Sequence, residues 1–478
     1  MLSIDNLDIS KMRFQDASRV IVLDLTHAGM IIATKLAEMK YSVIAVDVYR
    51  TVDGKTLIEL EEKYGIKTSK EPMPVNGTDI VVSPAHLDPE YPVLVEARKK
   101  GIKILTHHQA VGSILSMKEW PEKGTVIEIT GSKAKTSSAS LLAEMLSQKM
   151  KVILHTSRGL ELWENSQCKI LNLGLSIAPG SILLAIDKLE ELEASADCYI
   201  FEVSIGLTGF ADIGIITTLE PDYSIAASTS NSSDAKMSVL SYAKENEIFF
   251  LNIKDRKAQD MAYEFGRTFF TFGDSEYSGH DYKNADVVAD IVYDSANSSV
   301  MFKHQEGTFS SGLSEKYNSK SYATAFAVAV AVALKVGIPK KNIIKVIGSF
   351  EGLQGRMQEK KLAGRLLIDN SNSGMDIRSA ERSLDYALSR LEDENSGIIM
   401  VLGEEAAQVC EGLPPEHVSE FVKRCIDDLS TLILVGERMQ NVENGKFICA
   451  NGLEEGLEIA RGIASEKDII LSCVKCFR

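Results

Sequence analysis

The segment Ile129-Thr-Gly-Ser-Lys-Ala-Lys-Thr136 joins an apolar run, Thr125-Val-Ile-Glu-Ile, to a helix-forming run, Ser138-Ala-Ser-Leu-Leu-Ala-Glu-Met-Leu146. A strand that turns through a glycine into a helix aims its first backbone N–H groups at one point, where they and the helix dipole favour an anion. Gly131, Ser132, Lys133, Ala134, Lys135, Thr136 and Ser137 are therefore expected to cradle the phosphates of ATP. Lys135 is placed against the β and γ phosphates, and the Thr136 hydroxyl as a ligand of Mg2+. A strict G-x-x-x-x-G-K-[ST] loop asks for glycine before the lysine, where Ala134 carries a methyl group. The plainer alternative is a strand-to-helix turn rich in lysine and serine.

Such a loop needs a sheet behind it, and the chain supplies the pattern. From Arg19, apolar strands alternate with amphipathic helices: Val20-Ile-Val-Leu, Met30 to Met39, Tyr41 to Asp47, Asp79 to Ser83, Val93 to Arg98 and Ile102 to Leu105. This alternation predicts a parallel, doubly wound sheet. Its first turn, Asp24-Leu-Thr-His-Ala-Gly29, has one glycine where a dinucleotide fingerprint wants three, so nicotinamide binding gains little support from it or from Asp47. A second unit begins near Pro121 and includes the strands Cys198-Tyr-Ile-Phe-Glu202 and Ile213 to Thr218. Between Thr268 and Ser314 the pattern turns short and β-like, which predicts a hairpin-rich appendage. From Lys361 a third unit repeats the alternation through Leu366 to Asp369, a helix to Leu391, Gly397 to Leu402, a helix over Val418 to Leu429, and Thr431 to Val435. The expected fold class is α/β with parallel sheets, three units packing around a shared cleft.

Composition narrows the partners. A length of 478 residues accommodates about three domains. The net charge of -15 and the lack of a long Lys/Arg run argue against nucleic acid. The N-terminal residues are mixed and charged, unlike a signal peptide, and Ala323 to Leu334 is too short to span a bilayer, so it reads as a buried core helix. The expectation is a cytoplasmic protein with no membrane partner. Seven scattered cysteines form no disulfide framework, and Cys473 and Cys476 lack a second pair to complete a metal site. His27, His107 and His108 are likewise not read as a metal site, the adjacent pair being taken for a solvated strand end. No signal bears on oligomeric state.

Taken together, these residues resemble the Mur ligase superfamily over nearly the whole chain. Thr130-Gly-Ser-Lys-Ala-Lys-Thr-Ser137 is similar to its T-G-T-[NK]-G-K-T-[ST] loop, with Ala134 as a departure. The resemblance implies an N-terminal Rossmann-like substrate-binding domain over 1–120, a central phosphate-loop ATPase domain over 121–360 and a C-terminal Rossmann-like domain over 361–478. It implies Mg2+ held by Thr136, Glu202 of Phe201-Glu-Val-Ser204, and Lys236 as a carbamate, the alternative for Lys236 being a solvated helix lysine. Asp222-Tyr223 stands where the family has Asp-His, and Leu251-Asn-Ile-Lys-Asp255 resembles its N-x-D-D turn. Asn318 is implied near the nucleotide base, and Arg356 of Gly352-Leu-Gln-Gly-Arg-Met-Gln358 on nucleotide phosphate. Asp369-Asn-Ser-Asn-Ser-Gly-Met-Asp376 occupies the place of D-Y-A-H-x-P-x, with Asn372 at the histidine position. The plain alternatives are an exposed turn arginine for Arg356 and a strand-end cap for Asp369.

In the superfamily a substrate carboxylate attacks the γ phosphorus of ATP and a nucleophile captures the acyl phosphate. The resemblance makes Lys135, Glu202, Lys236, Arg356 and Asp369 the catalytic set. The segments Leu23 to Gly29, Asp47 to Thr51, His155 to Glu161 and Phe201 to Asp212 look most like the archaeal coenzyme F(430) synthetases of methanogens. That subfamily implies a nickel tetrapyrrole polycarboxylate as substrate, closed to a carbocycle by C–C bond formation. Arg158, His155 and Lys133 are then candidate cations for its carboxylates. Two alternatives stay open: a Mur-like peptide ligase joining an amino acid to a nucleotide-linked or folate-like acid, and a nucleotide-binding subunit without turnover.

Overall fold

The computed structural model describes residues 8–9, 14, 17–26, 28–276, 280–293, 298–391, 396–405, 412–442 and 447–476; His27 lies outside them. Two compact units emerge. Residues 1–290, 301–309 and 323–346 form one, and 291–300, 310–322 and 347–478 the other.

The first unit holds two large sheets and a small antiparallel pair, Ser224–Ile225 with Ser230–Asn231. In the N-terminal one, the strands Lys67–Ser69, Val43–Val46, Arg19–Leu23, Asp79–Ser83 and Lys103–Thr106 lie in that order, all parallel. Arg19–Leu23 is buried on both faces because Val20 and Val22 enter one core while Ile21 and Leu23 enter the other. The helix His107–Lys118 starts from a reciprocal cap, Thr106 receiving the Gln109 backbone N–H while the Gln109 side chain receives that of Thr106.

In the central sheet, Thr125–Thr130 lies between Cys198–Glu202 and Ile213–Ile216, parallel to both, with Glu202 opposite Ile129 and Ile216 opposite Thr130. Val152–Thr156 pairs beyond Cys198–Glu202, and a hairpin not foreseen from sequence, Gly159–Glu164 with Gln167–Asn172, adds antiparallel strands there. On the other side come Ile248–Asn252 and Thr268–Asp274, again parallel. Val287 to Ala289 pairs parallel with Phe272 to Asp274. The start of the expected appendage is therefore part of the central sheet. Ala323–Lys335 packs on the helix Lys135–Ser147 and is buried from Ala323 through Ala333, as its composition requires. No helix among the described residues is long and apolar enough to cross a membrane.

Glu128 sits within this core, in the middle of the strand that carries the loop. Its carboxylate receives the Thr208 backbone N–H at 2.6 Å and the Thr208 hydroxyl, yet burial pushes it up to about 7. Lys244 acts against the rise, and its acidic neighbours are Glu247, itself buried and raised well above the usual range, and the Tyr242 phenol. A carboxyl raised from 4.5 in the unfolded chain favours the native state while protonated, and that stability is lost as pH climbs from 4.5 through about 7. The loss amounts to roughly 3 kcal/mol for this group alone. Glu128→Gln keeps an acceptor for the Thr208 N–H and a donor for its hydroxyl. The variant should melt above the wild type at pH 8 and with it at pH 4.5, measured by thermal unfolding across that range.

The second unit is built on a six-stranded sheet. Gln358–Leu362 is antiparallel to Arg365–Asp369 across a turn in which Ala363 and Gly364 both take positive φ, the geometry that matches the strand twist. Ile469–Lys475, Ile398–Glu404, Thr431–Val435 and Phe447–Ala450 follow in parallel. Helix Pro415–Cys425 stops short of the expected Leu429, the chain passing instead into a 3-10 turn at Ile426–Asp428.

Candidate nucleotide-binding and ligase site

Thr125–Thr130 delivers the chain into the loop at Gly131, whose φ of 143° belongs to glycine and whose added Cβ would meet Thr217 Oγ1 at 2.0 Å. The loop is tied to the chain leaving Ile213–Ile216. Ser132 N donates to Thr218 O at 2.8 Å and Ser132 Oγ to Leu219 O at 3.0 Å. Lys133 N donates to Thr218 Oγ1 at 3.1 Å, and Thr217 Oγ1 to Lys133 O at 2.6 Å. Lys135 Nζ reaches back to Gly131 O at 2.8 Å, so the ammonium folds back onto the start of the turn.

Ala134 adopts φ 66°, ψ -3°, the left-handed conformation that the missing glycine would take without cost. An L-residue there loses about 1–2 kcal/mol, against the roughly 0.5–1 kcal/mol of extra chain entropy that glycine brings to the unfolded state. Ala134→Gly should therefore raise the thermal-unfolding midpoint, by roughly 1–3 °C, while leaving ADP affinity within about twofold.

Thr136, the second residue of the helix Lys135–Ser147, stands beside the end of Cys198–Glu202, and its hydroxyl lies 3.0 and 2.9 Å from the two Glu202 oxygens. Ser157 N, missed from sequence, donates to Glu202 Oε2 at 3.3 Å. A hydroxyl and a carboxylate are oxygen donors of the kind Mg2+ takes, and they stand where the loop lysine begins.

Lys236 is buried at 1 % exposure, at the end of the short helix Ser232–Met237, which excludes the solvated-lysine alternative. Its Nζ donates to Ser232 Oγ at 2.8 Å and lies 5.1 Å from the Tyr223 ring centre. Burial and then the Lys135 ammonium lower it to about 8, against the pull of Asp222 and Asp255. Ser232 was also missed, although its i,i+4 spacing puts it on the helix face of Lys236. Burial opposes ionisation of Asp222, but the Ser233 and Ser232 hydroxyls and the Ser233 and Tyr223 N–H groups outweigh it and hold its carboxyl below the usual range. Asp255 receives the Leu219 N–H at 3.0 Å and is pushed by burial up to about 7.

Three histidines differ from expectation. His155 is wholly buried, and burial lowers it to about 4, so it is neutral and supplies no cation to a polyanion. His107 and His108 are not a solvated strand end; they open a helix, bonded to Leu23 O at 2.9 Å and Ser204 O at 2.8 Å. Burial lowers them to about 3 and about 4. Arg158 is part-exposed and 3.6 Å from Glu161, and Lys133 is half-buried on the loop.

The remaining expected residues fall in the second unit. Asn318 N donates to Met357 O at 3.0 Å, and Asn318 Oδ1 receives the Lys320 N–H at 3.1 Å. Tyr322 Oη donates to Arg356 O at 2.7 Å. Asp369 ends its strand at 1 % exposure and accepts the Ser371 N–H at 3.2 Å. Among the described residues no group of three or more His, Cys, Asp or Glu side chains is arranged to hold a metal, and Cys473 and Cys476 are buried free thiols.

A glycine-turned loop with its lysine, backed by a hydroxyl–carboxylate pair on a parallel sheet, is the arrangement of a Mur-type ATP-dependent ligase. Residues 129–329 match the family model of the Mur ligase middle domain, and residues 359–476 that of the coenzyme F430 synthetase CfbE C-terminal domain. Among solved structures the fold is similar to MurF ligase from Thermotoga maritima in complex with ADP, with a TM-score of 0.55 at 15% identity over 95% of this chain and 93% of that one. A pseudomurein peptide ligase type C from Methanothermus fervidus gives 0.51 at 15% identity, with 96% of each chain covered. The chain is 49% identical to the coenzyme F(430) synthetase of Methanosarcina acetivorans, over 96% of its own length and 99% of the relative's, and 25% identical to that of Methanocaldococcus jannaschii, over 90% and 94%. It belongs to the coenzyme F(430) synthetase family of ATP-dependent ligases.

Proposed function

We propose that the protein phosphorylates a carboxylate of a nickel seco-tetrapyrrole acid with ATP and closes a carbocyclic ring on it, releasing ADP and phosphate. The observation that supports this most directly is the Lys135, Thr136 and Glu202 constellation, in a chain 49% identical to a synthetase of that product over nearly its full length. In the first step the carboxylate oxygen bonds to the γ phosphorus as the bond to the β-phosphate oxygen breaks. In the second, a carbon of the same molecule gives up a proton and bonds to the acyl carbon, and phosphate leaves. Two anions must meet in the first step, and Lys135 offsets their repulsion. Thr136 and Glu202 would hold Mg2+, which supplies charge neutralisation to the phosphates. An intramolecular carbon nucleophile needs orientation more than a second substrate site.

Lys236 is read as a third contributor to the metal environment, as its carbamate; intact-mass measurement showing unmodified lysine in active enzyme would remove that part. Arg356, Asn318 and Asp369 are assigned to the nucleotide by resemblance, and the division at 1–120, 121–360 and 361–478 is kept as the functional one. The nickel arrives within the macrocycle, so no protein nickel site is required. A reducing, cytoplasmic setting fits the free thiols among the described cysteines.

The deciding experiment is Mg2+-dependent phosphate release from ATP, with the nickel seco-tetrapyrrole acid and in parallel with amino acids plus nucleotide-linked or folate-like acceptors. Release with the tetrapyrrole alone, with the absorbance change of ring closure, is the expected result. Release with an amino acid alone would make the protein a peptide ligase, and ATP binding without release under either condition would make it a non-catalytic subunit.

A further inference from the structure

Asn372 stands where the superfamily pattern carries histidine, and its side chain does something specific within the second unit. Its Nδ2 donates to Gly355 O at 2.7 Å and lies 3.2 Å from Asn370 O, while its Oδ1 receives the Gly374 N–H at 2.9 Å. Carbonyls on one side and an N–H on the other fix the amide orientation, and only a carboxamide presents a donor and an acceptor in that arrangement. The backbone that carries this side chain is anchored to the sheet. Ser371 Oγ receives the Val474 N–H at 2.9 Å and bonds to the Ser472 hydroxyl.

Gly355 precedes Arg356, and the fit there leaves no slack: Gly355 has φ 72°, and an added Cβ would lie 2.0 Å from Ser371 O. The next two carbonyls are held from another direction. Arg356 O receives the Tyr322 hydroxyl at 2.7 Å, and Met357 O receives the Asn318 N–H at 3.0 Å. Tyr322 Oη in turn receives the Leu353 N–H at 2.8 Å. Three successive carbonyls, of Gly355, Arg356 and Met357, are thus clamped, and Asn372 supplies the clamp on the N-terminal side of the arginine.

We infer that Asn372 is a positioning residue: its carboxamide locks the Gly355–Arg356 peptide to the sheet and so sets where the Arg356 guanidinium is presented. The inference rests on the reading of Arg356 as a nucleotide-phosphate contact. Free rotation about the 355–356 segment would spread the guanidinium over many positions, and the ordering entropy would then be lost on binding. Asn372→Asp is the sharp variant, because it keeps the size while facing a carboxylate oxygen toward two carbonyls. Asn372→Ala merely removes the lock.

The test is a double-mutant cycle with Arg356→Ala, read by ADP affinity in calorimetry and by KM and kcat for ATP, with hydrogen exchange of the 352–358 segment in nucleotide-free protein. The expected result is a rise in the ADP Kd and the KM for ATP of about tenfold for Asn372→Ala and more for Asn372→Asp, with faster exchange at 352–358. In the Arg356→Ala background the same changes should have no further effect on Kd. Full additivity of the two changes, or unchanged Kd and exchange in Asn372→Asp, would overturn the positioning role while leaving Arg356 on the nucleotide. An Arg356→Ala protein with wild-type Kd and KM would instead remove the arginine assignment, and the inference with it.

Discussion

Lys135→Ala should abolish turnover, lowering ATP-dependent phosphate release by on the order of 10³-fold or more while the protein stays folded. The side chain donates to the loop at Gly131 O, 2.8 Å from Nζ, while Ser132 and Lys133 are held independently by Thr217, Thr218 and Leu219. The loop therefore keeps these ties when the side chain is removed. On the proposed mechanism, what is lost is a positive charge, at the mouth of a helix, that offsets a carboxylate approaching a triphosphate. Charge on a transferring phosphoryl group is stabilised by groups already in place, so an alanine cannot be compensated by water. Lys135→Arg should recover only a small part, since a planar fork does not reproduce a compact ammonium over the turn. Phosphate release and a thermal melt on the same preparation check the prediction, and a folded, active Lys135→Ala protein would end the phosphate-loop assignment.

Glu202→Gln is expected to reduce turnover by roughly 10²–10³-fold and to raise the Mg2+ concentration needed for half-maximal rate. The substitution is nearly isosteric, and a carboxamide oxygen in the place of Oε2 still accepts from Thr136 Oγ1 and Ser157 N, the donors at 2.9 and 3.3 Å. The local hydrogen bonds can survive while the negative charge does not. A neutral oxygen is a weaker partner for a hard divalent cation, and Mg2+ surrenders its waters reluctantly. A Mg2+ titration of the rate separates this effect from a general loss of activity. An unchanged Mg2+ requirement would show that Glu202 serves only to hold Thr136.

The strand-to-helix turn was legible because it is local: Gly131, Lys135 and Thr136 lie within it, and the constraints on them act over a few residues. The parallel sheets were legible for a related reason, since alternating apolar runs and helices leave few topologies. The hairpin at 159–172 was not, because Gly159–Glu164 and Gln167–Asn172 carry no strong turn dipeptide and are partly exposed. His107, His108 and His155 read as polar and accessible by residue type. Their burial is decided by Leu23 and Ser204, which are far away in sequence and supply carbonyls to the first two, and by the sheet that encloses the third.

By itself, then, the sequence determined the strand-to-helix turn at Gly131, the α/β class and, through resemblance, the ligase superfamily, all of which depend on residue types at short spacing. Tertiary structure alone decided that Glu202 meets Thr136 across 66 residues, that Lys236 is buried beneath the Tyr223 ring, and that Asn372 holds the peptide before Arg356. These depend on strand register and on which carbonyls face which donors. Neither is written in any one segment, because both are set by the packing of elements that are distant in the chain.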